Sequence, residues 1–384
     1  MNIEQIELYQ IRISLTAPFE TSFGVATDRE TILVRMTDAD GVAGWGEYTG
    51  DGPGYSYETV QTGWHIMRDF LIPETFKSPI NAPADCVKRF APVRGHNMAK
   101  AAMEAAIWDI AAQRENLSLR DYIGKVTGRP MKDRVSVGVS IGIQASPEKL
   151  VERVMAFKAD GYGRIKMKIK PGRDIGDARA VRKAIPEMML MVDANSAYSL
   201  KDADMLKQMD DLGLIMIEQP LAYDDVYEHH KLQRELKTPI CLDESIHAPD
   251  HARMALELGA CKIINIKQGR VGGVTNAIEI HDICEQAGAP VWCGGMLETG
   301  IGRAYNLALA ALPNFRLPSD LSASNRYYNP DIIEPVFELN TEDSTLTVPT
   351  GKGLGVNVQM DRLNRLTLQH SVFRKGRAWA VNGG

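Results

Sequence analysis

Apolar and polar positions repeat with changing periods along this chain, and the character of the pattern shifts near residue 131. Before that point Ile11, Ile13 and Leu15 alternate as in a strand, and "TILVRMTDADGVAGWGE" predicts a hairpin turning at Asp40-Gly41. Two helical patterns follow. "SYETVQTGWHIMRDFLI" opens at Ser56 and stops near Pro73, and the Ala-rich "HNMAKAAMEAAIWDIAAQREN" carries Met103, Ala106, Ile107 and Ile110 on one face. Two stretches rich in small and polar residues, "ETSFGVATDRE" and "TGDGPGYSYE", read as surface loops, with a lid over a site as the second possibility.

From Val135 onward short apolar runs alternate with helical stretches. The runs are VSVGVSIG at 135–142, RIKMKIK at 164–170, MLMVD at 189–193, LIMIE at 214–218, PICLD at 239–243, KIINIK at 262–267, PVWCG at 290–294 and FRLP at 315–318. Their carboxyl ends recur at about the length of one βα unit, so eight units in series predict a parallel β/α barrel. An open doubly wound sheet is the rival, but no Gly-rich phosphate loop follows the first run. The strand-like "VFELNTEDSTLTV" and the Gly-rich "PTGKGLGVNV" then predict a tail returning to the first domain. The expected class is α/β: an α+β domain at 1–130 with 335–384 returning to it, and a barrel at 131–334.

The composition narrows the function classes. With 384 residues, 44% hydrophobic content and a net charge of −5, the chain has neither a basic nucleic-acid footprint nor a disordered acidic tail. No apolar run is long enough to span a bilayer, and "MNIEQIELYQ" lacks the order of a signal peptide. Cys86, Cys241, Cys261, Cys284 and Cys293 form no CxxC pair, which fits free thiols in a reducing cytosol.

The strand ends carry the candidate chemistry. Asp193, Glu218 and Asp243 each close an apolar run, on adjacent strands, at the face where barrel enzymes work. Unbalanced, such carboxylates repel and raise one another's pKa; a hard divalent ion removes the conflict, and three monodentate carboxylates suit Mg²⁺ (or Mn²⁺) better than Ca²⁺ or Zn²⁺. Alone, each acid would read as a helix cap. In "RIKMKIKPG" Lys166, Lys168 and Lys170 share one face of a strand, about 7 Å apart. Repulsion between two such ammonium groups, roughly 2.4 kcal/mol at an effective dielectric near 20, is expected to pull a lysine toward neutrality and make it a base. Lys170, at the Pro-Gly exit, reads as a solvated terminus, and Lys267 ends the sixth run across the mouth. A metal that holds a substrate carboxylate, with a lysine on either face of the α-carbon, predicts removal or return of the α-proton. A Schiff-base aldolase needs only one lysine in an apolar pocket, and a non-catalytic metal-bound barrel gives no reason for opposed lysines.

At "KMK", "VDAN", "IEQP", "LDES" and "NIKQGRVGG" the chain resembles the muconate-lactonizing subgroup of the enolase superfamily, over nearly its whole length. That resemblance implies a (β/α)7β TIM-like barrel with an N-terminal α+β capping domain completed by the C-terminal tail. "WCGG" stands where mandelate racemases would have a base His, and Asp320 is followed two residues on by Ser322, unlike the Asp-x-Asp of dipeptide epimerases. "WCGGMLETGIGRAYN" with "SDLSASNRYY" is most similar to the o-succinylbenzoate synthase / N-succinylamino acid racemase family. The resemblance implies dehydration to o-succinylbenzoate in menaquinone synthesis, racemization of N-acylamino acids, or both in one site. Another cycloisomerase or dipeptide epimerase of the subgroup is the alternative. It implies Asp193, Glu218 and Asp243 as metal ligands and Lys168 and Lys267 as acid/base residues. Lys166 would tune Lys168 and touch the substrate carboxylate, Asn195 would orient a ligand or substrate oxygen, and Gly294, Gly295, Met296 and Leu297 would line a succinyl pocket. Glu244 would support the ligands without binding the ion. The expected partner is a small-molecule carboxylate, with no nucleotide or organic cofactor, no nucleic acid and no membrane, in a cytoplasmic homo-oligomer.

Overall fold

The computed structural model describes residues 1–50, 52 and 54–377. The first strands, β1 (Ile3–Glu20), β2 (Val25–Asp38) and β3 (Ala43–Tyr48), form an antiparallel meander. The Ala-rich helix Asn97–Arg114 lies against it. Small residues on both partners allow that approach: a Cβ on Gly44 would stand 2.3 Å from Ala106 O, and one on Gly46 2.0 Å from Ala102 O.

The barrel follows. After β4 (Arg134–Ser136), the strands β5 (Val139–Ile141), β6 (Arg164–Lys168), β7 (Met189–Asp193), β8 (Ile217–Glu218), β9 (Ile240–Leu242), β10 (Ile263–Ile266) and β11 (Val291–Cys293) pair in parallel in chain order. The eighth position is filled by residues 315–319. Phe315 bridges to Val291 on one side and Ser319 to Val137 on the other, both parallel, which closes the ring. Helices such as Val274–Gln286 and Gly300–Ala310 cover its outside. A central barrel strand has no wet face, and every residue of β6 is buried, its charged ones included.

The tail divides its contacts. β12 (Ile333–Glu334) pairs with β14 (Asn357–Val358), β13 (Thr345–Thr347) pairs with β4, and β15 (Thr367–Arg374) runs antiparallel to β1 as the outer strand of the first sheet. Residues 378–384 of the expected returning tail lie outside the described residues.

Two local expectations change. "ETSFGVATDRE" is not a loop: it is the end of a long hairpin, with β1 running to Glu20, β2 starting at Val25, and Thr21 N–H donating to Gly24 O across the turn. The helix expected from Ser56 to Pro73 is capped at Thr59 instead and runs on to Phe76. A π-helical stretch at Met67–Leu71 puts Pro73 in the first turn of the next segment, where its missing N–H costs little.

Candidate active site

Strand register sets the site. Lys168 pairs with Asp193 and Asp193 with Glu218, but Glu218 pairs with Cys241, so Asp243 stands two residues farther along its strand. Each cation in the row from Arg164 to Lys170, on and just past β6, finds a carboxylate. Arg164 Nη1 is 2.7 Å from Asp320 Oδ1. Lys166 Nζ is 2.6 Å from Asp320 Oδ2, 3.0 Å from Glu218 Oε2 and 3.1 Å from Asp193 Oδ2. Lys168 Nζ is 2.6 Å from both Asp193 Oδ2 and Asn195 Oδ1, and Lys170, half-exposed, pairs with Glu20 at 3.0 Å.

Across the mouth Lys267 Nζ is 2.6 Å from Asp243 Oδ2 and 3.1 Å from the hydroxyl of Tyr55, a residue of the first domain. Tyr55 also donates to Asp243 Oδ1, and Arg270 pairs with that same carboxylate oxygen. Asn195 Nδ2 donates to Glu244 Oε1 at 2.8 Å, while Asn265 Nδ2 donates to Glu218 Oε1 at 2.7 Å.

For Lys166 and Lys267 these partners overturn the expectation that like charges would pull a lysine toward neutrality. Burial alone would lower the Lys166 ammonium, but Asp320, Glu218 and Asp193 outweigh it and push it above the ordinary lysine range. Lys267 is raised in the same way: Tyr55, Glu218, Glu244 and Asp193 outweigh its burial. Burial would raise Asp320, yet Arg164 and Lys166 hold it at about 2. Glu218 goes the other way, pushed up to about 7 by burial and by the charge of Asp193.

The donor set fits a hard divalent cation. Asp193, Glu218 and Asp243 are buried carboxylates, Glu218 is strained toward protonation by its neighbour, and Glu244 Oε2 is a buried oxygen with no hydrogen-bond partner. Among the described residues no three His, Cys, Asp or Glu side chains stand gathered as a ready metal cluster. Lys166 contacts both Asp193 and Glu218, and Asp243 is engaged by Lys267, Arg270 and Tyr55.

A cavity of about 440 Å³ opens above this ring. Lys166, Lys168, Asn195 and Lys267 reach it from the barrel, with Gly295, Met296 and Leu297 on one wall. Gly294 does not reach it. A Cβ there would stand 2.6 Å from Lys267 Cε, so its bareness makes room for the lysine stem. The first domain supplies the roof through Phe19, Phe23, Val25 and Tyr55. The sequence reading missed Tyr55, Arg270 and Asp320 as parts of the site. Arg270 lies inside the quoted "NIKQGRVGG" and Asp320 inside "SDLSASNRYY", so the signal was a charged residue within a motif already singled out.

Residues 5–124 match the family described as "Mandelate racemase / muconate lactonizing enzyme, N-terminal domain", and residues 149–362 match "Enolase C-terminal domain-like". The chain is 49% identical to an o-succinylbenzoate synthase of Geobacillus kaustophilus over 98% of both chains. It is 45% identical to an N-succinylamino acid racemase of an Amycolatopsis species, over 96% of this chain and 98% of the other. A crystal structure of an enolase superfamily member from Listeria innocua superposes with a TM-score of 0.93 at 40% identity, covering 98% of this chain and 100% of that one. Two successive domain matches and full-length relatives above 40% identity place this chain in the enolase superfamily, within the enzyme family of o-succinylbenzoate synthases and N-succinylamino acid racemases.

Proposed function

We propose that this chain removes the proton α to the carboxylate of a small succinyl-bearing substrate, giving dehydration to o-succinylbenzoate, racemization of an N-succinylamino acid, or both in one site. One observation carries the reading: Lys168 and Lys267 enter the same cavity from β6 and β10, which are four strands apart in a ring of eight and therefore face each other. Dehydration needs a single base. Lys168 takes the α-proton, the C–O bond to the leaving hydroxyl breaks, and the same lysine returns the proton so that water departs. Lys267, held protonated, supports the negative charge that grows on the carboxylate. In racemization one lysine takes the proton and the other delivers one to the opposite face.

Asp193, Glu218 and Asp243 would hold a divalent ion, Mg²⁺ or Mn²⁺, which when bound supplies positive charge where the substrate carboxylate gains electron density. Lys166, Gly295, Met296 and Leu297 line the cavity, so Lys166 would touch the substrate carboxylate and the other three its succinyl arm.

The rival chemistries fit less well. A Schiff-base aldolase needs one lysine in an apolar pocket, whereas Lys166, Lys168 and Lys267 each lie against a buried carboxylate. In an epimerase acting on free peptides the substrate ammonium would need an open carboxylate near the end of the barrel, and Asp320 is already paired with two cations. A cytoplasmic homo-oligomer without nucleic-acid or membrane partners completes the proposal. All five cysteines are free and buried, no described helix is long and apolar enough to cross a membrane, and the oligomer rests on family analogy. The decisive experiment is steady-state kinetics of the purified protein on both substrates, before and after exhaustive chelation. Activity on neither, or full turnover without metal, would overturn the reading.

A further inference from the structure

We infer that Asp320 is a positioning residue for Lys166: it keeps a counter-charge on the ammonium when Asp193 and Glu218 are given to a divalent ion, so that the lysine does not contend with the ion for their oxygens. The inference rests on the proposed ligand assignment and goes beyond it to a residue that has no part in proton transfer.

Lys166 Nζ is shared among three carboxylates, at 2.6 Å from Asp320, 3.0 Å from Glu218 and 3.1 Å from Asp193. An ammonium has three protons and can serve all three at once. That sharing cannot last when Asp193 and Glu218 are given to a divalent ion. Their charge is then largely neutralised, and the ion repels the ammonium. Of the three partners only Asp320 is left as a counter-charge. A buried ammonium without one would be expensive, so it would contend with the ion for the same oxygens.

Asp320 is built to stay in place when this happens. Its backbone N–H donates to Cys293 O at 2.8 Å, and its Oδ1 is 2.7 Å from Arg164 Nη1. Arg164 is fully buried, and its Nη2 donates to Pro318 O at 3.0 Å, which ties the guanidinium to the segment that closes the ring. The carboxylate is therefore fixed by partners other than Lys166. On the same side, the ring of Trp292 has Lys166 Nζ 4.9 Å from its centroid, a second weak attraction that does not involve the ligand pair.

The test is a double-mutant cycle on metal affinity, which needs no turnover. Mn²⁺ is titrated into the substrate-free protein and free Mn²⁺ is read by electron paramagnetic resonance. Four proteins are compared: wild type, Asp320→Asn, Lys166→Met and the double variant. Asp320→Asn is expected to weaken Mn²⁺ binding about tenfold, and to have less than about a twofold effect when Lys166 is already Met. Asp320→Glu, which keeps the charge, should restore most of the affinity. Asp320→Ser serves in the same cycle where the Asn variant does not fold. An equal loss in both backgrounds would overturn the inference, because Asp320 would then act by its charge alone, while the ligand assignment would stand. Wild-type protein that binds no Mn²⁺ would overturn the ligand assignment and this inference with it.

Discussion

Lys168 Nζ lies 2.6 Å from Asn195 Oδ1, and the position of that amide is fixed by its own neighbours. Asn195 Nδ2 donates to Glu244, its backbone N–H donates to Asp193 Oδ1 at 3.0 Å, and its φ of 41° is in the left-handed region that Asn tolerates better than most residues. The amide thus aims Lys168, the proposed base, and joins it to the carboxylate ring. Asn195→Ala should lower the turnover number about 10- to 100-fold while leaving Mn²⁺ affinity nearly unchanged. The rate of α-proton exchange in D₂O should fall by the same factor. Exchange at the wild-type rate would show that Lys168 is aimed by Asp193 alone.

The hairpin tip between Glu20 and Val25 is docked on the barrel by few contacts. Ile143 N–H donates to Glu20 O at 3.0 Å, Ser22 Oγ to Asn195 O at 3.1 Å, and Lys170 pairs with Glu20 at 3.0 Å. Phe23 and Val25 are exposed although both line the cavity. Such a tip can open and close, and a carbanion-like intermediate needs shelter from water. Deleting residues around Gly24 should lower turnover and leave metal binding intact. Lys170→Ala, which removes one half-exposed ion pair, should change KM by no more than a fewfold. Unchanged kinetics in the deletion would reduce the tip to a surface connection.

How far these features were legible in the sequence depends on the range of the contacts involved. The barrel was legible because each strand is a short apolar run and each run ends at a regular interval. Lys168, Asp193 and Glu218 were legible because they end neighbouring runs, and parallel pairing sets them side by side. The charge state of Lys166 and Lys267 was not. It depends on Asp320, far along the chain and brought beside Lys166 only when the ring closes, and on Tyr55, more than 200 residues before Lys267. The hairpin tip was read as a loop because Thr21, Ser22 and Gly24 carry no apolar alternation, yet flanking strand pairing extends through most of that segment. The helix through Pro73 was cut short because a π-helical stretch leaves no signature in apolar spacing.

Glu104 supplies a pH test away from the site. It sits on the helix Asn97–Arg114 and accepts from the backbone N–H groups of Val274 and Thr275, at 2.6 and 3.1 Å, so the first domain caps a barrel helix. Burial pushes its carboxyl from the ordinary 4.5 up to about 7, against the hydrogen bonds from Thr275, Trp108 and Val274 that lower it. With a folded-state value above the unfolded one, the native protein holds the proton between the two. The resulting stability is fully present below about pH 4.5 and lost as the pH rises through about 7. Relative to Glu104→Gln, which does not titrate, wild type should lose of order 3 kcal/mol across that window. Urea unfolding of both proteins between pH 5 and 7.5 measures the difference. Parallel curves would show that the helix N-terminus keeps Glu104 ionised throughout.

Lys267→Arg separates the two reactions. Lys267 lies 2.6 Å from Asp243 and 3.1 Å from the Tyr55 hydroxyl, with its ammonium 4.6 Å from the centroid of the Tyr55 ring. A guanidinium keeps the charge and can hold the same carboxylate, but it does not give up a proton near neutrality. On the proposed mechanism Lys267 contributes only charge in dehydration, so the variant should retain a substantial part of that activity. In racemization the same mechanism has it move a proton in both directions, so inversion should fall by orders of magnitude whichever enantiomer is supplied. In D₂O the variant should still exchange the α-proton of the enantiomer that presents it to Lys168, without inverting it. Lys168→Ala, by contrast, should abolish dehydration and racemization together. Measured on one preparation with Mn²⁺ binding intact, equal loss of both activities in Lys267→Arg would refute this division of labour between the two lysines.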